Sequence, residues 1–160
     1  MELKNIILCV LNCVGIGFAI YSTAGNYWLS DSSRFINSGI WVSCAYESCS
    51  YMTDDAWDTI NVTRIFMIIG CVSYFVAFIL CCLIYAKKIK NHKISGALLC
   101  ATAIFLGIGL SVYSNTAYEK FINSAFYGLS YVFGWCSFAI SIISAIICFA
   151  MKVETENMKI

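Results

Sequence analysis

The chain has 160 residues, 61% apolar and 12% charged, with a net charge of +1, and its mean hydropathy is +0.80. Soluble domains carry about a quarter charged residues, so a soluble fold of this length is excluded and the lipid bilayer is the expected solvent. Near-neutral charge without a basic stripe also excludes nucleic acid as a partner.

The first element is the apolar run Asn5–Ala24, long enough for the roughly 20 helical residues that cross about 30 Å of hydrocarbon. Ser22-Thr23-Ala24 would pass as a signal-peptidase site. The run is long for a signal and a single Lys precedes it, so it is expected to remain as a span. Gly15 and Ala19 stand at the small-xxx-small spacing that lets helix backbones approach closely.

A polar segment, Gly25–Thr63, follows. Asn26–Ser30 and Phe35–Tyr46 are rich in aromatic and β-branched residues and are expected as strands. Cys44 and Cys49 flank Ala45–Ser48, which reads as a four-residue hairpin loop closed by a disulfide in an oxidising compartment. A metal site would need more ligands, and the only histidine, His92, falls on the other side of the membrane. A redox pair would need a different spacing. So short a loop predicts a stabilisation at or below about 2–4 kcal/mol.

The same segment holds Asp54, Asp55 and Asp58, which read as a solvated acidic face or as an attractor of cations. No outward histidine or apolar pocket accompanies them for acid–base work, so no enzyme activity, cofactor or metal is expected. Asn61-Val62-Thr63 is a glycosylation acceptor sequence lying close to the next span.

Three further spans follow at Ile65–Ala86, Ile94–Ser114 and Gly128–Met151. None of the four contains Asp, Glu, Lys, Arg or His, and the chain has no Pro. Pumps and transporters place ionisable groups and helix breaks within their spans, so neither is expected. Gly107 with Ser111, Ser130 with Gly134, and Ser137, Ser141 and Ser144 continue the small-residue pattern. Cysteines within the spans read as small apolar residues, with Cys81, Cys82 and Cys148 near the ends where palmitoylation is possible.

Lys4, Lys87, Lys88, Lys90, Lys93, Lys152 and Lys159 oppose Arg34, Arg64 and Lys120. The positive-inside rule then puts both termini and the 87–93 link in the cytoplasm, with 25–63 and 115–127 outside and 152–160 as an inner tail. The inner lysines either attract anionic lipid or merely set this topology. Tyr21, Tyr27, Trp28, Tyr85, Tyr113, Tyr127 and Trp135 read as interfacial belts. In the second outer loop, Tyr118, Phe121, Phe126 and Tyr127 suit either a repeated contact with a partner or packing down onto the sheet.

Trp28, Gly39-Ile40-Trp41, Cys44 and Cys49 resemble the W…GLW…C…C signature of the claudin superfamily, with Ile40 where Leu is usual. Asn61–Ile68 and Tyr131-Val132-Phe133-Gly134-Trp135 are similar to its peripheral myelin protein, epithelial membrane protein and lens fibre membrane intrinsic protein branch, and nearest to the lens member. The chain differs from typical claudins in its shorter cysteine spacing and in ending Met158-Lys159-Ile160 rather than Tyr-Val. The resemblance implies a left-handed four-transmembrane helix bundle, as one domain over 1–160, with a small extracellular antiparallel β-sheet. It implies a non-enzymatic protein of cell–cell contact at the plasma membrane, alternatively a granule membrane. Its partners would be copies of itself or related four-span proteins. A paracellular channel component and an accessory subunit of a channel or receptor are the alternatives.

Overall fold

The computed structural model describes residues 2–31, 36–46, 48–52, 58–86, 92–121 and 125–157. Side chains of residues 2, 58, 116, 118–121, 125 and 152–157 lie outside that description. In chain order the elements are α1 (Glu2–Ala24), β1 (Leu29–Asp31), β2 (Ile36–Ser38), β3 (Val42–Ala45), β4 (Ser48–Tyr51), α2 (Asp58–Tyr85), α3 (His92–Phe121), β5 (Ala125–Tyr127) and α4 (Leu129–Asn157). Among the described residues, four helices are long and apolar enough to cross a membrane: Leu3–Ala24, Thr59–Tyr85, His92–Asn115 and Leu129–Met151. Helix is the natural outcome there, because hydrocarbon offers backbone N–H and C=O groups no partner outside the segment itself.

The helices form a ring in which each packs along two neighbours, α1 on α2 and α4, α3 on α2 and α4. The inside of the ring mixes small and polar residues with larger apolar ones. Ala19, Ala77, Ala103, Ala145, Asn12, Ser95, Thr102, Ser137, Ser141 and Ser144 are buried beside Leu8, Met67, Leu99, Leu106 and Leu110, while Val72, Phe75, Ile104 and Ile146 face outward. Lipid gives a large apolar side chain no reward for hiding, so the close backbone contacts and buried polar groups carry much of the helix association. Gly134 packs against Leu110 and Ser22, and Gly107 against Phe138. The small-residue spacings therefore serve packing within the bundle, except at Ser111, which is exposed.

At one end of the bundle lies a sheet of order β4-β3-β2-β1-β5, antiparallel throughout. Strands β1 to β4 form a meander from the long loop, and β5 comes from the second loop to pair with β1 through Leu29↔Tyr127, Ser30↔Phe126 and Asp31↔Ala125. This three-residue strand was not expected from sequence.

Element bounds also differ. Helix α2 begins at Asp58 rather than Ile65, and α3 continues to Phe121 rather than stopping near Ser114. Both extensions are held by burial: Ile60 and Thr63 in α2 and Ala117 in α3 are shut into the interior. The expected stretch Phe35–Tyr46 is divided into β2 and β3 by a turn at Gly39–Trp41. Two aromatics assigned to interfacial belts, Trp28 and Tyr113, are core residues instead, packed edge to face with ring centres 4.5 Å apart.

Candidate functional site: a sheet anchored on the helix ends

An α-helix leaves its last four carbonyls without intrahelical partners, and near hydrocarbon such groups are costly to leave unmet. Helix α1 ends at Ala24, and three of these carbonyls are met in turn. Gly25 N–H donates to Tyr21 at 2.8 Å, the Trp28 indole N–H to Ser22 at 2.7 Å, and the Trp41 indole N–H to Thr23 at 2.7 Å. The two tryptophans of the family-like motif are thus side-chain caps on the first span, and each cap draws a different strand onto the bundle.

The same turn receives the start of α4. Gly128 N–H donates to the Trp28 carbonyl at 2.9 Å and Ser130 N–H to the Tyr27 carbonyl at 3.0 Å. A Cβ on Gly128 would come within 2.2 Å of the Tyr27 carbonyl oxygen, so only glycine admits this approach. Gly39 is constrained in the same way, its position for a Cβ lying 2.7 Å from both Asn26 Cα and the Gly25 oxygen. Ile40, which follows it, is wholly buried.

Arg64, early in α2, ties the other edge of the turn. Its Nε donates to the Ile40 carbonyl at 2.7 Å, Nη2 to the Met52 carbonyl at 3.2 Å, and Nη1 to the Asn61 amide oxygen at 2.7 Å. Its guanidinium carbon lies 5.1 Å from the centre of the Trp41 ring. Charge-assisted bonds of this kind are about twice as strong as neutral ones, and the stacked cation adds to them. Sequence reasoning counted Arg64 only as an outward charge. A lone arginine at the head of an apolar span was the available signal.

Cys44 and Cys49 are joined in a disulfide and are direct cross-strand partners in β3 and β4. The ladder continues one pair further, Ala45 with Ser48, so the strands run past the cysteines into the expected four-residue loop, and Tyr46 follows at the turn. Tyr46 has φ of 56°, a left-handed conformation that tyrosine adopts at a cost, and its ring is 77% exposed. All four residues of β4 are exposed, so it forms an open edge of the sheet. At the opposite edge, Phe126 of β5 is 68% exposed. Tyr127 stacks on Tyr131 of α4 at 4.3 Å, and partial burial, followed by the electrostatic effect of the Tyr131 phenol, raises its phenol above the usual range.

The remaining sequence candidates fall as follows. Asp54 and Asp55 lie outside the described residues, and Asp58 opens α2 with its side chain outside them. Tyr118 and Phe121 are on the last turns of α3, again with side chains outside the description. Asn61 is on the first turn of α2 with its amide held by Arg64, and the Thr63 hydroxyl is buried, 3.2 Å from the Thr59 carbonyl and 3.3 Å from that of Gly109. Of the cysteines considered for palmitoylation, Cys82 is exposed, whereas Cys81 and Cys148 are buried in the bundle. A thiol turned inward is poorly placed to meet an acyl donor, so of the three Cys82 has the favourable position. Among the described residues, no group of three His, Cys, Asp or Glu side chains could hold a metal.

Together these features define a class: a four-span membrane protein whose two loops on one side combine in a single disulfide-bearing sheet capping the bundle. The chain belongs to the PMP-22/EMP/MP20/Claudin family, whose model matches residues 1–148. It is similar to epithelial membrane protein 1 of Homo sapiens, 27% identical over 135 residues that cover 82% of this chain and 85% of the relative. The epithelial membrane protein 1 of Pongo abelii matches to the same extent.

Proposed function

We propose that this chain is a non-enzymatic protein of cell–cell contact or junction organisation, acting through its disulfide-stapled sheet and second loop. Both termini and the lysine-rich link face the cytoplasm in this reading, and the sheet faces the neighbouring cell. The observation that carries it is the pairing of rigidity with exposed aromatic rings. The sheet is held on the helix ends by Trp28, Trp41 and Arg64, yet it offers Tyr46 at one edge and Phe126 at the other. A tyrosine kept in left-handed backbone at an exposed tip is strain of the kind found at contact sites. Weak contacts of such rings sum when many copies meet across two membranes.

Expression in otherwise non-adherent cells tests this. Clustering is expected, and it should fall in Tyr46→Ala and in Phe121→Ala with Phe126→Ala at unchanged surface level. Undiminished clustering in both would end the contact reading. For Asn61, glycosylation has to precede the folding of the first turn of α2, because Arg64 then holds the amide and Thr63 is enclosed. A glycosidase-sensitive gel shift lost in Asn61→Gln is the measurement.

A second reading, an accessory subunit of a larger membrane protein, has one observation in its favour. Gly17 is a glycine whose added Cβ would meet nothing within 4 Å, and it lies beside exposed Cys13, Val14 and Ile20 on the outside of α1. A larger protein that co-purifies at fixed ratio with the wild type, and is lost in Gly17→Leu, would select this reading over the first.

A further inference from the structure

At the end of the bundle away from the sheet, thiols from three helices gather in two pairs. The inner pair is Cys81 of α2 and Cys148 of α4, both buried. Cys81 Sγ lies 3.0 Å from Ser95 Oγ of α3 and 3.5 Å from Asn12 Nδ2 of α1, and Cys148 Sγ lies 4.0 Å from the same serine oxygen. The outer pair is Cys9 of α1 and Cys82 of α2. Cys9 is half-buried and Cys82 is exposed.

The outer thiols are brought together by the packing of α1 along α2. Cys9 Sγ donates to the Cys81 carbonyl at 3.7 Å, and that carbonyl carbon is bonded to the Cys82 nitrogen. The Cys9 and Cys82 thiols also hydrogen-bond to one another. Their depth agrees with this contact. Cys9 stands five residues after Lys4 and Cys82 five residues before Lys87, so each lies about 7.5 Å along its helix from a lysine at the span's end. Two residues 73 positions apart in sequence thus share one level and one helix seam.

A buried thiol is inert, whereas an exposed thiol beside a second thiol is open to stepwise oxidation. The inner pair fits the first description and the outer pair the second. A hydroperoxide, ROOH, is the oxidant that suits this place, since it reaches Cys82 from the water or from an oxidised lipid chain. The Cys82 sulfur attacks one peroxide oxygen, the O–O bond breaks, and ROH leaves with Cys82 as the sulfenic acid. Cys9 sulfur then attacks the Cys82 sulfur, expelling water and forming the S–S bond. Two thiols and one hydroperoxide give one disulfide, one ROH and one water. The sulfurs have to close to about 2.05 Å, and each turns about a single χ1 bond. A dithiol reverses the step by exchange and leaves as its own disulfide. We propose that Cys82 and Cys9 are a hydroperoxide-oxidisable thiol pair whose disulfide pins α1 to α2 at the end of the bundle opposite the Cys44–Cys49 staple.

The full-length protein in phosphatidylcholine vesicles tests this, with hydroxylamine used first to free any thioester at Cys82. One arm receives hydrogen peroxide in the water, and the other carries hydroperoxidised phosphatidylcholine in the bilayer. Remaining thiols are then alkylated and the digest is mapped by mass spectrometry. A peptide cross-linked through Cys9 and Cys82 is expected, with loss of alkylation at both, and the arm that yields it identifies the source of the hydroperoxide. Dithiothreitol should restore both thiols. In Cys9→Ser, its helical circular dichroism unchanged, oxidation should stop at the sulfenic acid, so that dimedone labels Cys82 there and not in the oxidised wild type. Full alkylation of Cys9 and Cys82 in both arms overturns the proposal. A cross-link from Cys82 to another cysteine, or one confined to Cys81 and Cys148, overturns it equally.

Discussion

Trp28 shows how much a single side chain does in this protein. Its indole N–H meets the Ser22 carbonyl and its ring seals against Tyr113 and Tyr131. Trp28→Phe keeps an aromatic ring and removes the donor, which strands a carbonyl at the end of a membrane span. A loss of about 1–3 kcal/mol is expected, read as a lower midpoint of thermal unfolding in micelles. The tryptophans and the Gly39-Ile40-Trp41 run were legible as a motif, but their capping role was not. Their partners Ser22 and Thr23 belong to a different element, and single-chain spacing does not say which carbonyl an indole will reach. Arg64 was hidden for the same reason, because its bonds need the folded turn around Ile40 and Met52, or the helical turn that brings Asn61 back to it.

At the scale of elements, the spans were legible because their apolar runs are uninterrupted. Their bounds were not, because a helix goes on through polar residues whenever packing holds them, as at Ile60, Thr63 and Ala117. Strand β5 was illegible, since Ala125-Phe126-Tyr127 carries no alternation and pairs with residues almost a hundred positions earlier. Gly39→Ala tests the docking of the sheet. The obstructing atoms are backbone on the Gly25–Asn26 turn, which cannot swing aside like a flexible side chain, so a cost of about 1–3 kcal/mol is expected from overpacking. The accompanying sign should be retention in the secretory pathway. Cys44→Ser with Cys49→Ser is expected to cost a comparable amount, about 2 kcal/mol for so short a closed loop. The helical circular dichroism should be unchanged, because the helices of the bundle pack chiefly on one another.

For the whole molecule, the division between buried and lipid-facing residues, with Val72, Phe75, Ile104 and Ile146 exposed on the outside, makes the bundle dependent on lipid. It also decides which thiols are presented to the surroundings. Cys82 lies exposed on the last turn of α2, while Cys81 beside it and Cys148 opposite are enclosed. Labelling with an alkyne analogue of palmitate is therefore expected to vanish in Cys82→Ser and to persist in Cys81→Ser and Cys148→Ser. Loss of label in either of the latter alone would show that the bundle opens far more than its packing suggests.

The pairing of β5 with β1 imposes an order on biosynthesis. The partner for residues 29–31 is encoded at 125–127, so during translation the outward edge of the nascent meander stays open until three spans have been made. A ribosome stalled between those points leaves a chain with an unsatisfied strand. Quality control could recognise that unfinished seam, and discard late truncations even though every helix made so far is sound.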